Sequence, residues 1–471
     1  MNRPNGRGLS RWTGAARGPS RAIIFGLERP AERGEGFSGA ESLDELGLLV
    51  ETWGGLVVGK LTQTRGAADP AYYVGRGKLV ELIELARARE ADMLVADDEL
   101  TPVQLRNIEE ELRSRDLDAR VLDRTEVILE IFARRASSRE GRLEVELARA
   151  VWRLPRLRGK GPTLSRLGGG VGTRGPGETR LEMDRRRLRE RIRDLRREIA
   201  EVGRQRAEQA KSRREALVPV IALVGYTNAG KSSLFRRLTG ADVLVDDRLF
   251  ATLDPVVRRV VLPDKRLALV SDTVGFIRKL PHHLVAAFRA TLDEVRGADV
   301  LVHVVDVSNP AWPVLVAAAE TVLARVRPGD SLGAGAELVW VLNKTDLLPG
   351  GRGEALGRPE ARELLRRGKV VAVSAATGEG CRELLEVLAA ALRSKSGGKS
   401  EVFSLLVPYD QAALLPEFHR RGRVLSERYS ADGVRIEVEM DVEEGRRLVL
   451  LAGAGDGPGK NASAGDAAGP P

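Results

Sequence analysis

The chain has 471 residues, 42% of them hydrophobic and 30% charged, with a net charge of +9. That length suggests about three domains with real cores, and the single cysteine, Cys381, excludes an internal disulfide and fits a reducing cytoplasm. Four histidines without metal-ligand spacing argue against structural zinc, and no run reaches the roughly 18 apolar residues of a membrane span.

Residues 1–20 are basic and rich in Gly, Ser and Pro, lack the apolar centre of a signal peptide, and read as a disordered tail. From Arg21 to Arg120 short apolar runs (22–25, 56–58, 93–95 and 119–122) alternate with helical patterns. The helical patterns are Leu79–Glu90 and Pro102–Arg115, the second behind a Thr101 cap with proline at the first helical position. This alternation predicts a small α/β domain with a parallel sheet over residues 21–122. Gly75-Arg76-Gly77-Lys78 passes for an anion-binding turn, but it is too short to outweigh a plain strand-to-helix connection.

Residues 123–217 read as a helical hairpin. One helical pattern runs from Thr125 to Trp152, and a second from Glu182 to Arg214, on the order of 45–50 Å if unbroken. Leu181, Leu188, Ile192, Leu195, Ile199 and Val202 form a narrow apolar stripe on the second, which favours pairing with the first. Between them the Gly-rich stretch 168–179 falls at the hairpin's far tip, where a backbone with few side chains can approach a surface or a phosphate closely. It could equally be a flexible connector. From Arg153 to Glu215 there are 20 Lys/Arg against 9 Asp/Glu, an excess larger than the whole chain's net charge. Such a segment is either a solvated helix laced with i,i+4 ion pairs or a phosphate-binding arm; Arg166, Arg174 and Arg180 near the tip favour nucleic acid.

Residues 218–396 carry the chemistry. Gly225, Tyr226, Thr227, Asn228, Ala229, Gly230, Lys231 and Ser232 form a complete phosphate-binding loop between an apolar strand (218–224) and a helix (233–238). The glycines let several N–H groups converge on one phosphate chain, Lys231 adds positive charge at the β/γ-phosphates, and the Ser232 hydroxyl can ligate Mg²⁺. Asp272, Thr273, Val274 and Gly275 follow another apolar strand; Asp272 would hold Mg²⁺ through a water and the Gly275 N–H would meet the γ-phosphate. Between the two lie Phe250, Ala251, Thr252, Leu253 and Asp254, with Thr252 the candidate second Mg²⁺ ligand on a segment ordered by the γ-phosphate.

Asn343, Lys344, Thr345 and Asp346 stand at the carboxyl end of the strand 338–342, where open α/β sheets bind ligands. The Asp346 carboxylate can accept from both the ring N–H and the exocyclic amine of guanine, which makes the nucleotide GTP rather than ATP. Asn343 would brace the loops, Lys344 would lie over the base, and Ser374, Ala375 and Ala376 would complete the pocket through their backbone. The candidate catalytic groups are therefore Lys231, Thr252, Gly275 and Asn228. Asn228 also offers an amide oxygen where K⁺ could sit as an added charge. Phe276 stands where many GTPases place a water-orienting glutamine, so hydrolysis should be slow without help. A linker (396–400) then leads to a small α+β unit over residues 401–451, with strands at 402–407, 423–430 and 434–440 and a helix at Gln411–His419, and residues 452–471 read as a second disordered tail.

Four segments go further: 168–182, Asp123–Leu129, Asp97–Arg106 and Asp272–Pro281 closely resemble the HflX family of GTPases, a resemblance that covers residues 21–450. The resemblance implies a cytoplasmic GTPase, monomeric off the ribosome, that binds the large ribosomal subunit and its rRNA near the peptidyl-transferase region. It also implies a GTP form that helps split or rescue stalled ribosomes, notably under heat stress, with the hairpin tip inserted into rRNA. The chain departs from the family in its Gly/Ala/Pro tail and basic N-terminal extension, neither of which touches a motif. Two other readings stay open: a ribosome-assembly or RNA-modification GTPase, and an rRNA-binding protein whose GTP state only regulates docking.

Overall fold

A computed structural model describes residues 19–30, 38–157, 176–215, 218–240, 249–250, 253–279, 294–326, 336–395 and 400–452. Three sheets organise them. The first is parallel, in the order β2-β1-β3-β4, from β1 (Arg21–Glu28), β2 (Leu56–Thr64), β3 (Met93–Ala96) and β4 (Arg120–Asp123). β1 and β3 read as continuous apolar runs because helices cover both faces, whereas the edge strand β2 turns polar and half-exposed along Gly59–Thr64. Ile24, Val95 and Leu122 pack under α1 (Gly39–Trp53) and α4 (Arg124–Arg135). On the opposite face Ile23, Phe25 and Leu94 pack under α2 (Arg76–Ala88) and α3 (Pro102–Ser114). Thr101 caps α3 as its sequence suggests, accepting from the Gln104 N–H. Helix α1 is absent from the sequence reading, although Ser38 and Glu41 form a reciprocal capping box at its start.

The helical stretch expected from Thr125 to Trp152 is two helices. Ser137 and Ser138 break it, and Ser138 caps α5 (Arg139–Arg156) by accepting from the Gly141 N–H. Helix α4 packs into the N-terminal core, α5 joins the same core through Val145, Ala148 and Trp152, and α6 (Pro176–Glu215) lies against α5. Helix α6 is 40 residues long and starts at a proline, which suits the first helical turn; the sequence reading began it six residues later. Ile192 and Leu195 bury against α5, and Arg191 grips Glu146 with two bonds of 2.8 Å. Of the Gly-rich stretch, residues 168–175 lie outside the described residues.

The second sheet has six strands, β10-β9-β8-β5-β7-β6: β5 (Val220–Gly225), β6 (Val256–Val261), β7 (Leu267–Asp272), β8 (Val300–Asp306), β9 (Glu337–Asn343) and β10 (Lys369–Ala372). All pairings are parallel except the edge pair β6–β7. Helices α7 (Lys231–Thr239), α8 (Trp312–Val326), α9 (Gly351–Gly357), α10 (Pro359–Arg367) and α11 (Cys381–Lys395) cover it. The third sheet is antiparallel, β11-β13-β12, from β11 (Ser400–Val407), β12 (Arg423–Ser430) and β13 (Gly433–Asp441), backed by α12 (Leu415–Arg421) and α13 (Val442–Leu451). The helix expected over Gln411–His419 is a 3-10 turn (Tyr409–Leu414) leading into α12, with Pro416 in the first turn of the regular helix. Helix α13 went unread in the sequence. Among the described residues no helix is long and apolar enough to cross a membrane.

Candidate functional site

The phosphate loop grows out of β5, the strand at which the order of the six-stranded sheet reverses. Gly225 (φ 145°) and Gly230 (φ 88°) hold conformations closed to other residues, and neither has room for a side chain: a Cβ on Gly225 meets Val304 O and one on Gly230 meets the Asn343 amide. Asn228 takes the left-handed region as well (φ 60°), which asparagine tolerates. Lys231 is buried and folds back on the loop, donating to Tyr226 O at 2.8 Å and Gly225 O at 3.2 Å. Burial pulls its ammonium down to about 8, against the opposing charge of Asp272. Among the described residues its hydrogen-bond partners are carbonyls, and a desolvated cation so held is poised for an anion.

Ser232 Oγ donates to Asp272 Oδ2 at 2.7 Å, and Asp272 is fully buried at the end of β7. A hydroxyl and a carboxylate oxygen side by side are the donors a hard divalent cation takes, so the site fits Mg²⁺. Thr273 turns away and donates to Leu223 O at 2.5 Å. Gly275 lies against the loop: a Cβ there would stand 2.8 Å from Lys231 Nζ and 2.8 Å from Thr227 Cα. Beyond it, Phe276 joins the apolar cluster of Tyr226 and Trp312, and its backbone is clamped to the loop by Thr227 N–H to Phe276 O (2.8 Å) and Phe276 N–H to Gly225 O (3.0 Å).

At the other end of the site Asn343 joins two loops, donating to Ala229 O at 2.9 Å and accepting from the Ala375 N–H at 3.0 Å. Lys344 (φ 65°) pairs with Asp306 at 2.6 Å, and Thr345 is buried with its N–H on Val373 O. Asp346 is exposed and accepts from Ser374 Oγ at 2.6 Å, leaving its other edge towards solvent. Two partners here went unread in the sequence. Asp306 fixes Lys344, and Arg237 on α7 holds the Ala375 and Ala376 carbonyls.

The segment between the two phosphate-contacting motifs differs most from its sequence reading. Ala251 and Thr252 lie outside the described residues. Leu249, Phe250 and Leu253 pack in the N-terminal core beside Leu49 and Phe132, with the Phe132 and Phe250 rings edge-on at 4.7 Å. Asp254 accepts from the Ser137 N–H (2.8 Å), Ser137 Oγ (2.7 Å) and Ser138 N–H (2.7 Å), and from Ser138 Oγ. Burial raises its carboxyl, but those four bonds outweigh burial and hold it below the usual range. The side chains of Phe250, Leu253 and Asp254, read from sequence as nucleotide contacts, are thus committed to the N-terminal half; nothing local marks that partnership. Gly141 is glycine because a Cβ there would strike Asp254.

A second bridge is ionic. Arg124, fully buried, donates to Glu45 (2.6 Å), Asp97 (2.6 Å) and Ser42 O (2.9 Å). Lys279 reaches Asp97, and Asp98 at 2.8 Å; Tyr226 of the phosphate loop donates to Glu45 and accepts from the Arg278 N–H at 2.9 Å. Three of the segments that carry the family resemblance, those holding Asp97, Arg124 and Lys279, therefore meet in one cluster.

A phosphate loop on β5, a cation-binding pair at the end of β7 and a guanine-type loop after β9 define a P-loop GTPase, a hydrolase of GTP. Known families match along the chain: "GTP-binding GTPase N-terminal" over residues 40–133, "GTP-binding GTPase Middle Region" over 135–213 and "50S ribosome-binding GTPase" over 220–344. The chain belongs to the HflX family. It is 42% identical to the GTPase HflX of Caldanaerobacter subterraneus over 434 residues, 92% of this chain and 94% of that one. Against the GTPase HflX of Escherichia coli it is 40% identical over 409 residues, 87% and 92% of the two chains. A solved GTP-binding protein of the archaeon Sulfolobus solfataricus in complex with GDP is similar at 23% identity, over 80% of this chain and 99% of that one, with a TM-score of 0.42.

Proposed function

We propose that this GTPase docks on the large ribosomal subunit in its GTP form and that hydrolysis is coupled to splitting or rescue of stalled ribosomes. The observation that carries the reading is the Asp254 junction: the segment expected to respond to the γ-phosphate is hydrogen-bonded to the N-terminus of α5, the first helix of the Arg-rich hairpin. Nucleotide state at one end can bias hairpin position at the other. The charge excess of residues 153–215 gives the hairpin its rRNA-binding surface, and the family match over 220–344 is to ribosome-binding GTPases. The single cysteine fits a reducing cytoplasm, and the chain is taken as monomeric away from the ribosome.

In this reading Lys231 and the loop N–H groups neutralise the β/γ-phosphates, and the Gly275 N–H meets the γ-phosphate. Asp346, Lys344 and the backbone of Ser374, Ala375 and Ala376 select guanine, while Asn343 and Thr345 hold those loops in place. Ser232, Thr252 and Asp272 would hold Mg²⁺, which would supply positive charge to offset the charge that develops on the phosphates. Asn228 places an amide where K⁺ would add a further charge.

Burial of Phe276 favours a second reading, an rRNA-binding protein whose GTP state only regulates docking, because the side chain after Gly275 is unavailable to water. Deleting Gly168–Gly177 separates the two. Stimulation of GTP turnover by large subunits should vanish while intrinsic turnover stays within about twofold, because hydrolysis is built from residues outside the tip. Stimulation that survives the deletion refutes tip insertion, and an intact chain that binds large subunits without stimulation supports docking alone.

A further inference from the structure

Hydrolysis needs a group that holds the attacking water, and Phe276 is buried in the apolar cluster with its backbone fixed on both sides. We propose that the Thr227 hydroxyl, at the third position of the phosphate loop, is that group. The point where a Gly275 Cβ would stand lies 2.8 Å from Lys231 Nζ, 2.8 Å from Thr227 Cα and 2.9 Å from Thr227 Cγ2. The phosphate-binding cation, the glycine expected to meet the γ-phosphate and the Cα and Cγ2 methyl of Thr227 thus converge on one spot, and the hydroxyl is carried on the same Cβ as that methyl.

Thr227 is only 7% exposed, and its hydroxyl has no hydrogen-bond partner among the described residues. Burying a hydroxyl unpaired is costly, and valine would take a closely similar shape without that cost. Such a group marks a place where a partner arrives with substrate. The Thr227 N–H is tied to Phe276 O and its β-branched side chain is stiff, so the hydroxyl is preorganised. The residue also borders a cavity of about 300 Å³ with Asn228, His303 and Glu41 and Glu45 of α1, which has room for water. His303 Nδ1 has no partner among the described residues either, and burial, with Lys231 and Arg367 nearby, pushes its imidazole down to about 4, so it is neutral near pH 7.

In the step itself the water oxygen bonds to the γ-phosphorus as the bond to the β,γ-bridging oxygen breaks. The electron pair leaves with GDP, and the water's proton passes to a γ-phosphate oxygen, giving inorganic phosphate. Thr227 Oγ accepts a hydrogen bond from the water, aims it, and ends unchanged.

The test is single-turnover GTP hydrolysis by Thr227→Val and Thr227→Ser in the full chain, with affinities for GDP and a non-hydrolysable GTP analogue. Thr227→Val should hydrolyse at least about tenfold more slowly with both affinities within about twofold, and Thr227→Ser should stay within about threefold of the parent rate. Parental turnover by Thr227→Val overturns the proposal. So does Thr227→Ser as slow as Thr227→Val, which shows that the position tolerates no change rather than needing its hydroxyl, or a loss of affinity equal to the loss of rate.

Discussion

Asp346→Asn should lose GTP and gain xanthosine triphosphate. The carboxylate is held by Ser374 Oγ at 2.6 Å, and Ser374 in turn accepts from the Thr377 N–H at 3.1 Å, so the acid's orientation is set before the base arrives. Guanine presents two donors to that acid. An amide in its place turns one acceptor into a donor and sets N–H against N–H, whereas the 2-oxo group of xanthine accepts from it. Sites built around such pairs reject the mismatched base strongly, so the GTP affinity should fall by about a hundredfold or more, with xanthosine triphosphate bound more tightly than GTP. Because Asp346 is exposed, the thermal unfolding midpoint should barely move. Titration with both nucleotides checks this; a variant that binds GTP like its parent refutes the assignment of the guanine loop.

Arg124→Ala should be the most destabilising single change in the N-terminal half. The guanidinium is fully buried and satisfies Glu45, Asp97 and the Ser42 carbonyl together. Burial alone would raise the Asp97 carboxyl, but Arg124 and then Lys279 outweigh it and hold the group well below the usual carboxylate range. A depressed carboxyl contributes stability above its unfolded pKa and loses it as pH falls through the folded value, so the contribution is complete at pH 7 and fades in strong acid. Removing Arg124 leaves two buried acids under-compensated, at a cost of about 3–5 kcal/mol. Arg124→Lys should recover little, because an ammonium cannot reproduce the planar fork. Denaturant unfolding at pH 7 measures both; an Arg124→Ala midpoint equal to the parent's would mean the cluster is not structural. The same variant should loosen Tyr226, whose partner Glu45 it shares.

What the sequence shows and what it hides divide along physical lines. The phosphate loop, the Asp272 turn and the Asn343 loop are legible because each needs fixed residue types at fixed spacing, directly after an apolar strand. Strands β1, β3 and β4 are legible as short apolar runs, and α3 by its Thr101 cap and Pro102. Helix α1 was readable from Ser38 and Glu41 but sits in a stretch whose apolar residues form no isolated run. The Ser137-Ser138 break is hidden because helical periodicity resumes at once on its far side. Most opaque are the partnerships across the chain: Asp254 with Ser137 and Ser138, Glu45 with Tyr226, Asp97 with Lys279. Each joins residues more than a hundred positions apart, and only packing of the two halves brings them together. Those partnerships turn a GTP site into one whose loops are also parts of the N-terminal core.

In the proposed function, nucleotide state controls docking through these shared loops. Sedimentation of the full chain with ribosomes under GTP, GDP and a non-hydrolysable GTP analogue tests it most directly. Co-sedimentation with the large subunit is expected under GTP and the analogue, with release under GDP. Equal binding in all three states would contradict it.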